Sequence, residues 1–418
     1  MQYYKKIGSW MSSVFSTEGA VRISFLMMAF GLTTSPVLVS LAVGLLTLTA
    51  LYQVFRSGFK LRSLSWYECL PILLFLGNAI WYFFTNNHAS MLTELRIKLP
   101  LLLIPFALHY IPRLSFKQIL QTLQVFIIVL SAVLVATITN YLLHQETIDQ
   151  LLLQSKAVPI ITLSKHFSHI YFGVMASFTL LGAWYLFTIQ HKWTRYVWLS
   201  FALFIFTGLH IISSRTGLVT AYGAIFIEGI RYMLVKKAYV RGLIVFFLIG
   251  FGAVIAIKTV PALKNKVVNT MDDFDHYRKQ HNLADWSLTR RLIVLKLSTE
   301  LIGRHPIVGV SPADSRDSLS NLYMKYHYDI PEEDRITDPH NQYLQYGVDI
   351  GLCGTFILLT IIFYPIIVLG KRIHPLLLAL LIVSAIGMLF ESLLERQFGV
   401  SFFMFFWSLF VVKPLPSD

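Results

Sequence analysis

The residues best suited to chemistry lie in one short stretch, Asp338-Pro339-His340-Asn341-Gln342-Tyr343-Leu344-Gln345, with Gly351-Leu352-Cys353-Gly354 just after it. A histidine exchanges a proton near neutral pH, which suits a general base. A hydrogen-bonded histidine at an interface is the plainer account of the same residue. Arginines offer a second kind of chemistry. Arg215 sits in the tight turn Ser213-Ser214-Arg215-Thr216-Gly217 between two apolar runs, where a charge is costly without a partner, a water-filled cavity or a ligand. Its planar fork of donors fits a phosphate bidentately, although snorkelling or pairing with a carboxylate would satisfy it too. Arg290 and Arg291 open an amphipathic segment, against the preference of a helix start for anions. Solvation or a bound anion would relieve that conflict. With Arg215 they suggest a site for a polyanionic headgroup such as a pyrophosphate.

The elements that must position these residues follow from composition. Of 418 residues, 56% are hydrophobic and 14% charged, against about 25% charged in a soluble protein. The surplus apolar surface needs lipid as its solvent. A net charge of +13 would raise the question of nucleic acid for a soluble protein. Here the cations sit in short gaps between apolar runs, so membrane orientation accounts for them and no nucleic-acid partner is expected. Crossing a bilayer takes roughly 20 helical residues with every backbone polar group paired within the segment. Runs near 20–35, 36–55, 67–85, 97–112, 118–143, 170–189, 194–213, 216–235, 242–260, 345–370, 374–390 and 399–413 approach this requirement. They predict an all-α polytopic membrane protein of about twelve transmembrane helices. Residues 1–260 hold the first nine spans, 261–344 form one large outer loop with short helices, and 345–418 hold the last three.

Loop charges give the orientation. With a cytoplasmic N-terminus, the inner gaps hold Arg56, Lys60, Arg62, Arg113, Lys117, Lys192, Arg195, Arg231, Lys236, Lys237, Arg241, Lys371 and Arg372, with Lys413 at the end. The outer short gaps hold only Arg96, Lys98, Lys156, Lys165, Arg215 and Arg396. This alternation predicts that both termini are cytoplasmic and that Arg215, the large loop and His340 face outward. Lys5 and Lys6 precede the first run without a cleavage site and soluble domain behind them, so that run is expected to stay as a helix. A smaller outer segment covers about 144–169. In the large loop, Leu292, Ile293, Leu295, Leu297 and Leu301 recur at helical spacing over Ser287–Ile302. Asp285 or Ser287 caps its start, and Gly303 and Pro306 close its end. Such a helix either packs on the rest of the loop or lies at the membrane surface. Cys69 and Cys353 lie within or beside apolar segments, and no disulfide is expected between them.

These motifs resemble the O-antigen ligase and polymerase superfamily of bacterial surface-polysaccharide enzymes. Its hallmark is His, then Asn, Ser or Gln, nine residues, then Gly-x-x-Gly; His340-Asn341, residues 342–350 and Gly351-x-x-Gly354 match it. Arg215 in Ser-Arg-Thr-Gly looks like the family's arginine between two outer-leaflet helix ends. Arg291, followed by a helix and then His305-Pro306-Ile307-Val308-Gly309-Val310, looks like its loop arginine before a Pro-x-x-Gly-Val segment. Two positions depart from the pattern: Leu295 where an aromatic is usual, and Ser311 where glycine is frequent.

The resemblance implies a twelve-helix bundle in a bacterial inner membrane, with the long periplasmic loop folded over a cavity. It implies cofactor-free, metal-independent glycosyl transfer from an undecaprenyl-pyrophosphate-linked glycan to a lipid A–core acceptor, in lipopolysaccharide assembly. His340 would activate the acceptor hydroxyl while Arg215 and Arg291 hold the pyrophosphate. Arg290, Asn341, Arg96, Lys98, His169 and Glu395 are further candidates for substrate contact; solvated interface charge is the plain account of Arg96 and Lys98. Glu391, Glu395 and Arg396 could pair within a helix turn or orient an arginine or the acceptor. No metal site is expected: Asp273-x-Asp275 lacks the sheet domain of soluble nucleotide-sugar transferases, and His166 with His169 lacks further ligands. A polymerase joining repeat units uses the same chemistry on another acceptor. A flippase for lipid-linked glycans is the alternative from another class, and calls for broken helices or charge at mid-membrane, often in repeated halves.

Overall fold

The structure, a computed structural model, describes residues 16–59, 63–112, 114–153, 168–212, 214–259, 287–328 and 330–412. Lys5, Lys6, Lys60, Arg62, Arg113, Lys156, Lys165, His166, Ser213, Asp273, Asp275, Asp285 and Lys413 lie outside them. The described residues are helical, with no strand among them. In order they form α1 (Thr17–Thr34), α2 (Pro36–Arg56), α3 (Leu70–Ala79, continued by a 3₁₀ turn over Ile80–Phe83), α4 (His88–Lys98), α5 (Pro100–Tyr110), α6 (Phe116–Leu143), α7 (Gln145–Leu153), α8 (His169–Ile189), α9 (Thr194–Ile212), α10 (Arg215–Lys236) and α11 (Tyr239–Thr259). After these come α12 (Ser287–Arg304), α13 (Ser315–Lys325), α14 (Gln342–Leu369), α15 (Pro375–Phe390) and α16 (Gln397–Val411).

Each apolar run predicted from the sequence falls on a helix. Six of these helices, α2, α6, α8, α9, α10 and α14 with the short turn after it, are long and apolar enough to cross a bilayer. The segments Leu70–Phe83, Pro375–Phe390 and Gln397–Val411 are apolar but shorter. Among the described residues the protein is all-α, with several helices of the length and composition of membrane spans. One helix was not expected: α4 occupies what reads as a plain gap, begun by Asn87, whose side chain accepts from the Ser90 N–H.

Helix α16 forms the middle of the bundle. Phe402, Phe403, Phe405, Phe406 and Trp407 are all buried on it. Phe406 meets Phe178 of α8 at 4.8 Å between ring centroids and Phe126 of α6 at 5.2 Å. Such tilted aromatic pairs add to the packing that drives helix association in lipid, where no hydrophobic effect acts between helices. Helix α15 is buried along Leu376–Ser384. By contrast α2 keeps Val37, Leu41, Leu48, Leu51 and Phe55 exposed, a lipid-facing stripe.

Cross-connections fix which helix ends lie together. Gln397 Nε2 donates to Pro36 O and to Ser40 Oγ, Thr85 Oγ1 to Asp314 Oδ1, and Ser214 Oγ to the His169 carbonyl. One end of the bundle thus gathers the starts of α2, α8, α10, α14 and α16 beneath the described loop. The opposite end carries His374, against which Tyr185 and Phe116 pack.

Within the loop, α12 settles the choice between two expected settings. Ile293, Val294, Leu297 and Leu301 pack with Leu319, Leu322 and Tyr323 of α13, with Ile330, and with Val348 of α14. The apolar face is turned into a second small core, so α12 packs on the loop and on α14 rather than lying at the membrane surface.

Candidate active site

The hallmark sequence builds a broken helix. Asn341 starts α14, its Oδ1 accepting from Leu344 N at 3.1 Å while its Nδ2 donates to Leu389 O at 3.2 Å. The helix then breaks at Ile350 and Gly351, where Gly351 takes φ 73° and ψ −175°, a region open essentially to glycine alone. A Cβ there would lie 2.1 Å from Ile307 O, so glycine is required twice over. The strap Pro306–Ser311 fills the break. Val310 N donates to Val348 O at 2.8 Å, Ser311 N to Asp349 O at 3.0 Å, and Leu352 N to Pro306 O at 2.8 Å. Thr355 Oγ1 donates to Tyr343 O at 2.9 Å. Backbone groups freed by the break are thereby paired, as an apolar setting demands. Ser311, the departure from the glycine frequent in the family, adopts φ 90°; its Oγ accepts from Ala313 N, a local compensation for the strain.

His340 precedes this helix in a left-handed conformation, φ 49°. Its N–H donates to Asp338 Oδ1 at 2.8 Å, and the same oxygen accepts from Ser392 Oγ at 2.6 Å. The imidazole Nδ1 lies 3.2 Å from Glu391 Oε2, a carboxylate with 9% side-chain exposure. In the tautomer with Nδ1–H donating to Glu391, Nε2 is left as a hydrogen-bond acceptor.

The arginine and histidine expected from other helices come to the same end. Tyr171 OH, two residues beyond His169, donates to Ser392 O at 3.4 Å. His169 and Arg215 are the first residues of α8 and α10, and these helices cross where Gly173 and Gly217 touch. A Cβ on Gly173 would lie 2.8 Å from Gly217 Cα. Small residues at such a crossing let two backbones approach closely. Arg215 is exposed there, His169 half-buried. A continuous chain of contacts thus runs from His340 through Asp338, Ser392 and Tyr171 to the helix starts that carry His169 and Arg215.

Other expected contacts are distributed differently. Arg290 is turned to the loop, its Nη1 donating to the Asp334 carbonyl at 3.1 Å and to Oδ1 at 3.2 Å. Arg291 is half-buried beside it on α12. Arg96 is exposed on α4. Lys98 is fully buried, its Nζ 2.5 Å from Glu395 Oε2 and 3.1 Å from Glu94 Oε2. Burial alone would favour its neutral amine, but Glu395 and then Glu94 outweigh it and push its pKa above the ordinary lysine value. Glu395 also accepts from Gln342 Nε2 at 3.0 Å. Both Lys98 and Glu395, expected at the substrate, are therefore occupied inside the protein. The sequence singles out Glu395 for substrate contact and leaves Glu391 and Arg396 as pairing or orienting charges; the 3₁₀ turn Leu393–Glu395 separates them, and it is Glu391 that lies at the histidine. A cavity of about 450 Å³ lined by Glu18, Arg22, Phe25, Gln118 and Trp198 sits at the opposite end of the bundle and has no part in this arrangement.

Residues 168–359 match the family model described as O-antigen ligase. The matched segment, similar to that family, is a little under half of the chain. It opens at the residue that caps α8 and closes within α14, so the O-antigen ligase match takes in His169, Arg215, Arg290, Arg291, the strap, His340 and the helix break. Glu391 and Lys98 lie beyond it. No curated protein matches the chain.

Proposed function

We propose that this chain transfers a polysaccharide from undecaprenyl pyrophosphate to a lipid A–core acceptor at the periplasmic face of a bacterial inner membrane, without metal or cofactor. His340 Nε2 accepts the proton of the acceptor hydroxyl as its oxygen bonds to the anomeric carbon of the donor glycan. The bond from that carbon to the phosphate oxygen breaks, and the electron pair leaves with the undecaprenyl pyrophosphate. Arg215 and Arg291 receive the growing charge, which preorganised guanidinium donors stabilise in a site of low dielectric. Glu391 orients the base. The observation that carries this reading is the 3.2 Å contact between His340 and Glu391 at the end of the bundle where Arg215 opens α10. The family match supplies the class of substrate.

A polymerase would use the same residues on a growing glycan as acceptor. A flippase fits less well, because the break in α14 falls in its first third and is filled by the strap. The deciding experiment reconstitutes purified protein in liposomes with lipid-linked glycan and lipid A–core, with no added metal. His340→Ala should cut transfer by about 10²–10⁴, the usual contribution of a positioned base, while inserting normally. Full transfer by this variant would remove His340 from the mechanism. Lipid A–core carrying the glycan marks the ligase; a longer lipid-linked glycan marks the polymerase.

A further inference from the structure

Beyond the break, α14 shows a lipid-facing stripe. Leu352, Phe356, Leu359, Phe363 and Ile367 are exposed at helical spacing, the pattern of a span that borders the bilayer. From Leu352 to Leu369 the helix rises about 27 Å at about 1.5 Å per residue, slightly less than the roughly 30 Å of hydrocarbon to be crossed. Upstream of the break, Gln345 to Ile350 are buried in protein. The stripe therefore stops short at its outer end.

The strap continues it. Ile307 and Val308, the residues laid over Gly351, are 68% and 59% exposed. They are tied to the top of the stripe by the bond from Leu352 N to Pro306 O, 2.8 Å, and Leu352 itself is 52% exposed. Arg304 and His305, exposed just before them, would lie at headgroup height. Ile307 and Val308 thus extend the lipid-facing stripe of α14 into one contiguous apolar patch, bordered by charge, where a membrane boundary is expected.

We infer that Ile307 and Val308 form a wedge that enters the outer edge of the bilayer, with phospholipid glycerol and upper acyl chains as its partner, and anchors the loop at that depth. The wedge directly follows α12. On the transferase reading above, it fixes the depth of the far end of α12, the helix whose first turn carries Arg290 and Arg291; the anchoring itself does not depend on that reading.

The test reads position rather than turnover, so it separates from any failure of the transferase reading. In a Cys69→Ser, Cys353→Ser background, Ile307→Cys, Val308→Cys and, as a water-exposed control on α13, Asn321→Cys are labelled with an environment-sensitive fluorophore. Each is placed in nanodiscs of phosphatidylethanolamine and phosphatidylglycerol. The wedge predicts several-fold weaker quenching by aqueous iodide at 307 and 308 than at 321. It also predicts strong quenching by a spin label high on the acyl chain at 307 and 308 only. Should one variant fail to fold, the neighbouring position gives the same reading. Iodide quenching equal to the control overturns the proposal, as does protection from both quenchers, which would mean a covering of protein.

Discussion

A left-handed backbone at a non-glycine residue costs roughly 1–3 kcal/mol and persists where the surroundings over-determine it. His340 is such a residue, and its determinants are visible: Asp338 holds its N–H, Ser392 holds Asp338, and Glu391 holds the ring. The strain aims the imidazole at a carboxylate carried by a different helix end. Glu391→Gln keeps the size and a hydrogen bond to Nδ1 but removes the negative charge beside the ring. Transfer should fall about 10-fold to 100-fold in kcat, a part of the roughly 10²–10⁴ that a positioned base contributes, with little change in KM for the donor. Steady-state kinetics on the reconstituted protein check this; an unchanged kcat would mean the carboxylate has no share in the chemistry. His340 was legible in the sequence because its motif is local. Its partner was not, since Glu391 lies 51 positions away and which acidic residue turns toward the ring depends on the turn between α15 and α16.

At the scale of elements, hydropathy located the bundle helices well because lipid forces each crossing to be a long apolar helix. The amphipathic repeat over Ser287–Ile302 likewise matched α12, Ser287–Arg304. Less was legible where an element depends on a neighbour. Helix α4 has no apolar stripe to announce it, and its place is fixed by Lys98 and Glu94 pairing with distant residues. The break in α14 is a second case. Glycines 351 and 354 are plain in the sequence, yet only the strap over Gly351 shows why one of them must be glycine. Gly351→Ala should strain the backbone and push Ile307 O away, costing at least about 2 kcal/mol. The thermal midpoint in detergent should drop clearly, and the strap should become more susceptible to proteolysis. A variant that melts with the parent would mean that the break can relax without the strap.

At the scale of the molecule, the loop, α4, α14 and the turn before α16 meet in a buried polar knot. Lys98 joins Glu94 to Glu395, Gln342 joins Glu395 to the Leu394 N–H, and Gln345 Nε2 donates to Asp349 Oδ1 at 2.9 Å. A lysine in a short gap between apolar runs reads from sequence as a solvated interface charge, because burial by tertiary partners leaves no local signal. A buried pair contributes little net stability against an apolar replacement, but removing one partner alone typically costs about 3–5 kcal/mol, since the other charge is left buried. Lys98→Met should therefore lower the thermal midpoint strongly, and the double variant Lys98→Met, Glu395→Gln should recover much of that loss although it lacks both charges. The turn that Glu395 anchors also carries Glu391, so the single variant should lose transfer along with stability. Equal midpoints for the single and double variants would show that the carboxylate finds water or another partner; the knot would then not be what holds the histidine's partner in place.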